Sequence, residues 1–391
     1  MSNNEGEILV INSGSSSLKF GIYVLDGNEE SLRINGSIDS IGTGGGKLKL
    51  KDGNGQSLAE QNSDAKTLED AFKSVIDALS LADVGTPIAI GHRIVHGGPH
   101  LREHQKLTPK VLSTLKQATH FAPLHDPPAI AIIEAAQKQF KQVPQFVCFD
   151  TAFHKTLPEI AAHYALPLKY WEQGVLRYGF HGLSYESIVR ALGDRLPSRI
   201  VAAHLGNGAS LAAILDGKSV DTSMGLTPTG GIPMGTRSGD LDPGIVLWLL
   251  RSGLNVDQVE SLLNRDGGLK ALSNGESDLR ALSKASAAGD AAAKLAIDIF
   301  TRSIAKTIAS YAVSLGGLDL LVLTGGIGEN SAPVRQQVCS QLEFLGTAID
   351  EAKNVANAEL ISAGSSKIDV KIIAADEDGQ IARHTRRLLV S

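Results

Sequence analysis

Short apolar runs bounded by glycine, serine and asparagine recur along the chain, and they come in pairs. Residues 8–11 and 18–25 are β-rich and flank the small-residue stretch Asn12-Ser-Gly-Ser-Ser-Ser17, which predicts a strand, a tight turn and a returning strand. The second half repeats the pattern. Residues 200–203 lead into His204-Leu-Gly-Asn-Gly-Ala-Ser210, residues 211–215 return, and Asp216-Gly217 supplies a further hairpin turn. Both turns end in Ser-Leu before an apolar strand. The echo predicts internal duplication of one α/β unit.

Start signals place the helices. Thr108-Pro109 and Asp126-Pro127 each set a capping residue before a proline at the first helical position, and an Ala-rich stretch predicts a long helix over residues 290–315. Short strands are expected at 145–149, 318–323 and 370–374, each running into a polar or glycine-rich segment. That alternation predicts α/β architecture with functional groups at strand ends. The stretch Gly42-Thr-Gly-Gly-Gly-Lys47 is out of register for a P-loop and has Leu48 where Ser or Thr is required, so it reads as a surface hairpin.

Length changes this picture by requiring two domains, because 391 residues exceed one ordinary core. A net charge of -5 offers no basic surface for nucleic acid or anionic lipid, so any phosphate falls to local Lys, Arg and backbone N–H groups. Cys148 and Cys339 are far apart and read as two buried thiols. With a polar N-terminus and no apolar run of the roughly 18 residues a membrane span needs, the protein is expected in the cytoplasm.

The turn 12–17 gathers N–H and O–H donors suited to phosphate oxygens, and Lys19 adds charge beside it. Gly206-Asn207-Gly208 and Thr324-Gly-Gly-Ile-Gly-Glu-Asn330 supply two more such turns, the last read as leading into a helix with Pro333 in its first turn. Arg93, in Gly91-His-Arg-Ile-Val-His-Gly-Gly98, and Arg237, in Met234-Gly-Thr-Arg-Ser-Gly-Asp240, come from opposite halves and suit the oxygens of a transferring phosphoryl group. His125 and His181 lie in breaker-rich loops. Asp150 ends one strand, and Glu377 is placed just after another, the positions and chemistry that Mg²⁺ ligation uses.

These segments, with Arg177-Tyr-Gly-Phe-His-Gly182, resemble the acetate kinase family in family order over nearly the whole chain. The resemblance implies a duplicated actin-like ATPase fold of two lobes with an interdomain cleft, shared with sugar kinases and heat-shock chaperones, and a homodimer; the lobes would be 1–150 joined by a C-terminal helix at 377–391, and the nucleotide-binding 151–376. It also implies that Asn12 and Glu377 hold Mg²⁺, or Mn²⁺ in its place, and that Lys19 faces the phosphates. Arg93 would grip the substrate carboxylate and the phosphoryl group. Asp150 matches the active-site acid, and His181 and Arg237 the transition-state stabilisers, with His125 nearby. ATP or ADP would lie along His204, Leu205, Gly206, Asn207 and Gly208, along Asp278, Leu279 and Arg280, and along Gly326, Ile327, Gly328, Glu329 and Asn330. Val95, Leu124, Phe180 and Pro228 would enclose the acetyl methyl. Val95, two residues beyond Arg93, would share its side of an extended strand.

The implied reaction is phosphoryl transfer between ATP and acetate. Acetate is anionic at neutral pH and needs no general base, so Asp150 is better suited to orienting an Arg or a metal-bound water than to taking a proton. Two departures from the family pattern stand out. Asp126 follows His125 where the family usually has Asn, which favours a charged imidazole unless Asp126 caps the next helix. The loop 227–233 also lacks the Glu often found there. A propionate or butyrate kinase is the nearest rival, separated by pocket volume. A non-catalytic nucleotide switch would need the phosphate loops but not the two arginines.

Overall fold

The computed structural model describes residues 5–14, 17–27, 29–42 and 44–390. Ser15 and Ser16 of the first turn, and Thr43 of the glycine-rich hairpin, lie outside the described residues. The chain forms two compact units, one comprising the residues up to Ala152 with Gly182–Ser187 and the segment from Asp376 onward, the other Phe153–His181 with Ile188–Ala375.

The first unit is built on β1 (Glu5–Ser13), β2 (Leu18–Asp26), β3 (Glu29–Ile38), β4 (Gly46–Asp52), β5 (Ser57–Ser63), β6 (Ala89–Ile94), β7 (Gln105–Lys106) and β8 (Gln145–Phe149), ordered β5-β4-β3-β2-β1-β6-β8-β7. Residues 8–11 of β1 are unbroken in their hydrophobicity because both faces of the sheet are covered. Leu9 and Ile11 pack with Phe72 and Val75 of the helix Leu68–Leu81 and with Ile132 of the helix Asp126–Gln139. Ile8 and Val10 face Ile381 and Ala382 of the helix Glu377–Val390. That last helix lies so close to β6 that a Cβ at Gly91 would stand 2.2 Å from Thr385 Oγ1. Leu183 joins the same core, which ties residues 182–187 to the first unit.

The second unit carries β9 (Arg199–Leu205), β10 (Ala209–Leu215), β11 (Lys218–Thr222), β12 (Leu320–Thr324) and β13 (Asp369–Ile372), ordered β11-β10-β9-β12-β13. In it β11, β10 and β9 pair antiparallel and β9, β12 and β13 parallel. In the first unit β3, β2 and β1 pair antiparallel and β1, β6 and β8 parallel. The two sheets therefore share one core topology, and the duplication read from the hairpins is real. The turn between β10 and β11 has Asp216 at φ 48° and Gly217 at φ 78°, the left-handed pair a two-residue hairpin needs. The long helix runs Ala291–Leu315, capped by Asp290 at its start and by Gly316 at φ 67° at its end.

Four local readings are corrected. Thr108 caps its helix, but Asp126 is itself the first residue of the helix that follows His125, and its side chain makes no cap. β6 ends at Ile94, so Val95 lies past the strand and alternation does not place it beside Arg93. Residues 325–330 form a short helix of their own, Gly325–Asn330, before the helix Ala332–Ser340. Glu377 opens the last helix as expected, but β13 has already ended at Ile372 and not at 374, so Glu377 does not follow directly on the strand.

Candidate active site

In the first unit, side-chain alternation brings three strand ends together on one face. Val10 and Asn12 on β1, and Gly91 and Arg93 on β6, each stand two residues apart, so the polar member continues the face that packs on the last helix, and Asp150 follows directly on the end of β8. Parallel register sets Ile11 beside His92 and thus Asn12 beside Arg93. Arg93 donates from Nε to Asp150 Oδ1 at 2.9 Å, from Nη2 to Oδ2 at 2.6 Å, and from Nη1 to Asn12 Oδ1 at 3.0 Å. Asn12 Nδ2 donates in turn to Asp378 Oδ1 at 2.9 Å. Lys19 lies exposed directly across the hairpin from Asn12.

This is a buried charge cluster. Burial pulls the Arg93 pKa down, but the charges of Asp150 and Glu377 outweigh it and raise the guanidinium further above its ordinary value. Burial pushes Asp150 up, against the Arg93 fork. It also pushes Asp378 up, against the hydrogen bond from Asn12. His92 points the other way, to Gln145 Oε1 at 2.9 Å, and burial lowers its pKa to about 4. His125 stands at the N-terminus of the helix Asp126–Gln139 and makes no side-chain cap. Asp126 is fully buried. Its Oδ1 accepts from His96 N at 3.3 Å, while Oδ2 has no partner among the described residues, and burial pushes its pKa to about 8. Burial thus disfavours the ionised form of Asp126, the form that the sequence expectation for His125 invoked.

In the second unit, His181 adopts a left-handed conformation, φ 57° and ψ 25°, immediately before the helix Gly182–Leu192. Its Nδ1 lies 2.8 Å from Ser210 Oγ, and its ring stacks on His204 at 4.3 Å between centroids. Arg237 Nη1 donates to Pro228 O at 3.0 Å. A Cβ at Gly208 would stand 3.4 Å from His181 Nε2 and 3.6 Å from Arg237 Nη1, so the glycine turn admits both groups to one point. Phe180 is buried, and its carbonyl meets His154 Nε2 at 3.0 Å.

A cavity of 820 Å³ in this unit is lined by Gly206, Asn207, Asp278, Leu279, Arg280, Gly326, Ile327 and Asn330, all expected to meet the nucleotide, and by Gly235, Leu269, Ser277, Ser283, Ser331 and Pro333, which were not assigned to it. Its size falls in the range of roughly 300–1,000 Å³ typical of small-molecule sites. Asp278 caps its helix through Arg280 N at 2.7 Å and pairs with the exposed Arg280 side chain, whose hydrogen bond lowers the Asp278 pKa to about 2. His204, Leu205, Gly208, Gly328 and Glu329 do not line this cavity. Leu205 is core, and Glu329 Oε1 instead accepts from Gly325 N at 2.9 Å and Ala375 N at 3.1 Å, holding the turn from behind. Asp378 is the site residue that sequence reading missed. Its only sequence signal is adjacency to Glu377.

The duplicated sheet is the actin-like ATPase fold, with charged groups at strand ends of the first unit and a ligand-sized cavity in the second. The acetokinase family model matches residues 7–383. An acetate kinase of Coprothermobacter proteolyticus is 42% identical over 98% of this chain and 99% of its own length. A propionate kinase of Citrobacter rodentium is 40% identical over 98% and 97%. The crystal structure of a propionate kinase from Francisella tularensis superposes with a TM-score of 0.90 at 37% identity, over 98% of this chain and 99% of that one. The chain belongs to the acetokinase family, and it is a kinase.

Proposed function

We propose that this chain catalyses the reversible, Mg²⁺-dependent transfer of the γ-phosphoryl group of ATP to acetate, giving acetyl phosphate and ADP by direct in-line displacement. A carboxylate oxygen of acetate forms the new P–O bond as the bond to the β-phosphate oxygen breaks, and no proton need be removed. The observation that carries the reading is the Arg93–Asp150 fork. A buried carboxylate fixes the guanidinium by two of its five N–H groups, which pre-orients a cation for an anionic acceptor and a transferring phosphoryl group. Asp150 acts in this reading by orienting Arg93. Arg237 and His181 would stabilise the charge that develops on the phosphoryl oxygens, with His125 assisting, and Lys19 would face the phosphates. The 820 Å³ cavity supports nucleotide binding, with Asp278, Leu279, Gly326, Ile327 and Asn330 lining it.

The oxygen donors Asn12, Glu377 and Asp378 fit a hard divalent cation. Asp378 is a half-buried carboxylate bonded to Asn12, and Glu377 adjoins it on the same helix turn. The ion, Mg²⁺ or Mn²⁺, would neutralise phosphate charge. Acyl-methyl contacts fall in this reading to Val95, Leu124, Phe180 and Pro228. A propionate acceptor is the second reading, favoured by the propionate kinases among the similar proteins. Assay of ATP with acetate, propionate and butyrate separates them. Acetate is expected to give the highest kcat/KM, and no transfer to any of the three would overturn the function.

We further infer a homodimer acting in the cytoplasm. Ile245, Leu247, Trp248 and Val256 are exposed on the helices Pro243–Arg251 and Val256–Arg265, Trp248 by 64%, which supports burial against a second copy. Among the described residues no helix is long and apolar enough to cross a membrane.

A further inference from the structure

Outside the site described above, the first unit holds a cluster of His104, Glu186 and His384 whose ligand-type atoms lie within 4.8 Å of one another. His104 Nε2 is 3.1 Å from Glu186 Oε1, and His384 Nε2 is 2.6 Å from Glu186 Oε2. The two imidazoles face each other at 3.9 Å. Their residue types suit a transition metal, but the hydrogen bonding decides otherwise. His104 Nδ1 accepts the Phe149 N–H at 3.1 Å, so the neutral ring carries its proton on Nε2 and donates it to Glu186. The atom that would coordinate a metal is the one that holds the proton. Burial pushes the Glu186 carboxyl up, yet the hydrogen bonds from His104 and His384 outweigh it and hold the group well below the usual carboxylate range.

The ring stands where a strand carbonyl would be. β7 is only two residues long and ends opposite Val147 at Gln105, so the Phe149 N–H two residues further along β8 is taken by His104. On the other side, Asp150 N donates to Ile94 O of β6 at 2.9 Å, and Asp150 O accepts from Gly182 N at 2.8 Å at the start of the helix that bears Glu186. We propose that His104, its tautomer set by Glu186, is a positioning residue that fixes the end of β8 and so aims Asp150 at Arg93. The catalytic consequence rests on the functional reading above, whereas the structural one does not.

The test compares His104→Ala with His104→Asn, whose amide oxygen occupies roughly the place of Nδ1 and keeps an acceptor for Phe149. In His104→Ala, amide exchange at Phe149 is expected to accelerate about tenfold or more, and kcat to fall by about tenfold with the KM for ATP within about twofold. His104→Asn should recover most of both. Unchanged exchange at Phe149, or equal defects in the two variants, would overturn the proposal. So would one equivalent of Zn²⁺ bound by the wild type and lost in His104→Ala, which would make the cluster a metal centre. A wild type inactive on acetate, propionate and butyrate would sink the functional reading instead, and the exchange comparison would still decide the role of His104.

Discussion

Arg93 grips Asp150 at two points, Nε to Oδ1 at 2.9 Å and Nη2 to Oδ2 at 2.6 Å, at the ends of strands that are 57 positions apart in the chain. A lysine ammonium cannot occupy both contacts. Arg93→Ala is expected to lower kcat by about 10²-fold or more, with Arg93→Lys recovering little, and Arg237→Ala by a similar factor. Removing Arg93 also strands a buried carboxylate, at a stability cost of about 3–5 kcal/mol. Kinetics are therefore paired with thermal melts. Near wild-type turnover in either alanine variant would remove that arginine from the charge clamp.

Glu377 and Asp378 open the last helix, and Asp378 is tied to Asn12. If this oxygen set holds the divalent cation, Glu377→Ala and Asp378→Ala should each raise the Mg²⁺ concentration needed for half-maximal rate. Superimposable Mg²⁺ titrations of variant and wild type would take the substituted residue out of the metal set.

Asp126 has a pKa raised to about 8 by burial, so the folded protein holds a proton there that the unfolded chain releases near the ordinary carboxylate range. The stability it contributes is present at low pH and is lost as pH rises from the ordinary value through about 8. Asp126→Asn, neutral at every pH, should therefore gain on the wild type in melting temperature between pH 5 and pH 9. A pH-independent difference between the two melting curves would show that Asp126 does not titrate in this window.

Val95 is buried just beyond the end of β6, two residues from Arg93. One methylene in a small apolar pocket is worth roughly 1–3 kcal/mol, so acetate should exceed propionate in kcat/KM by about tenfold or more, and Val95→Ala should narrow the gap through better propionate use. An unchanged ratio would take Val95 out of the acyl pocket. A wild-type preference for propionate would favour the second reading.

Local chemistry was legible in the sequence by itself. Apolar runs marked β1, β2, β8, β9, β10, β12 and β13 but not the more polar strands β3, β4, β5, β7 and β11, Thr108 and Asp290 marked helix starts, Asp216-Gly217 marked a hairpin, and the repeated strand–turn–strand exposed the duplication. These signals involve neighbours in the chain, where hydrophobic periodicity and turn geometry act directly. The cavity turns were also visible, because small residues at strand ends declare themselves locally. Pairing across distance was not. Asn12 and Asp378 meet across 366 positions only because the last helix packs on β1 and β6. Asp126 looked like a helix cap, and burial instead left it an uncapping, proton-binding carboxyl. Glu329 looked like a ligand-facing acid until the approach of Ala375 turned it into a brace. In each case residue type sets what a group can do, and sheet register and burial, which depend on the whole fold, set what it does.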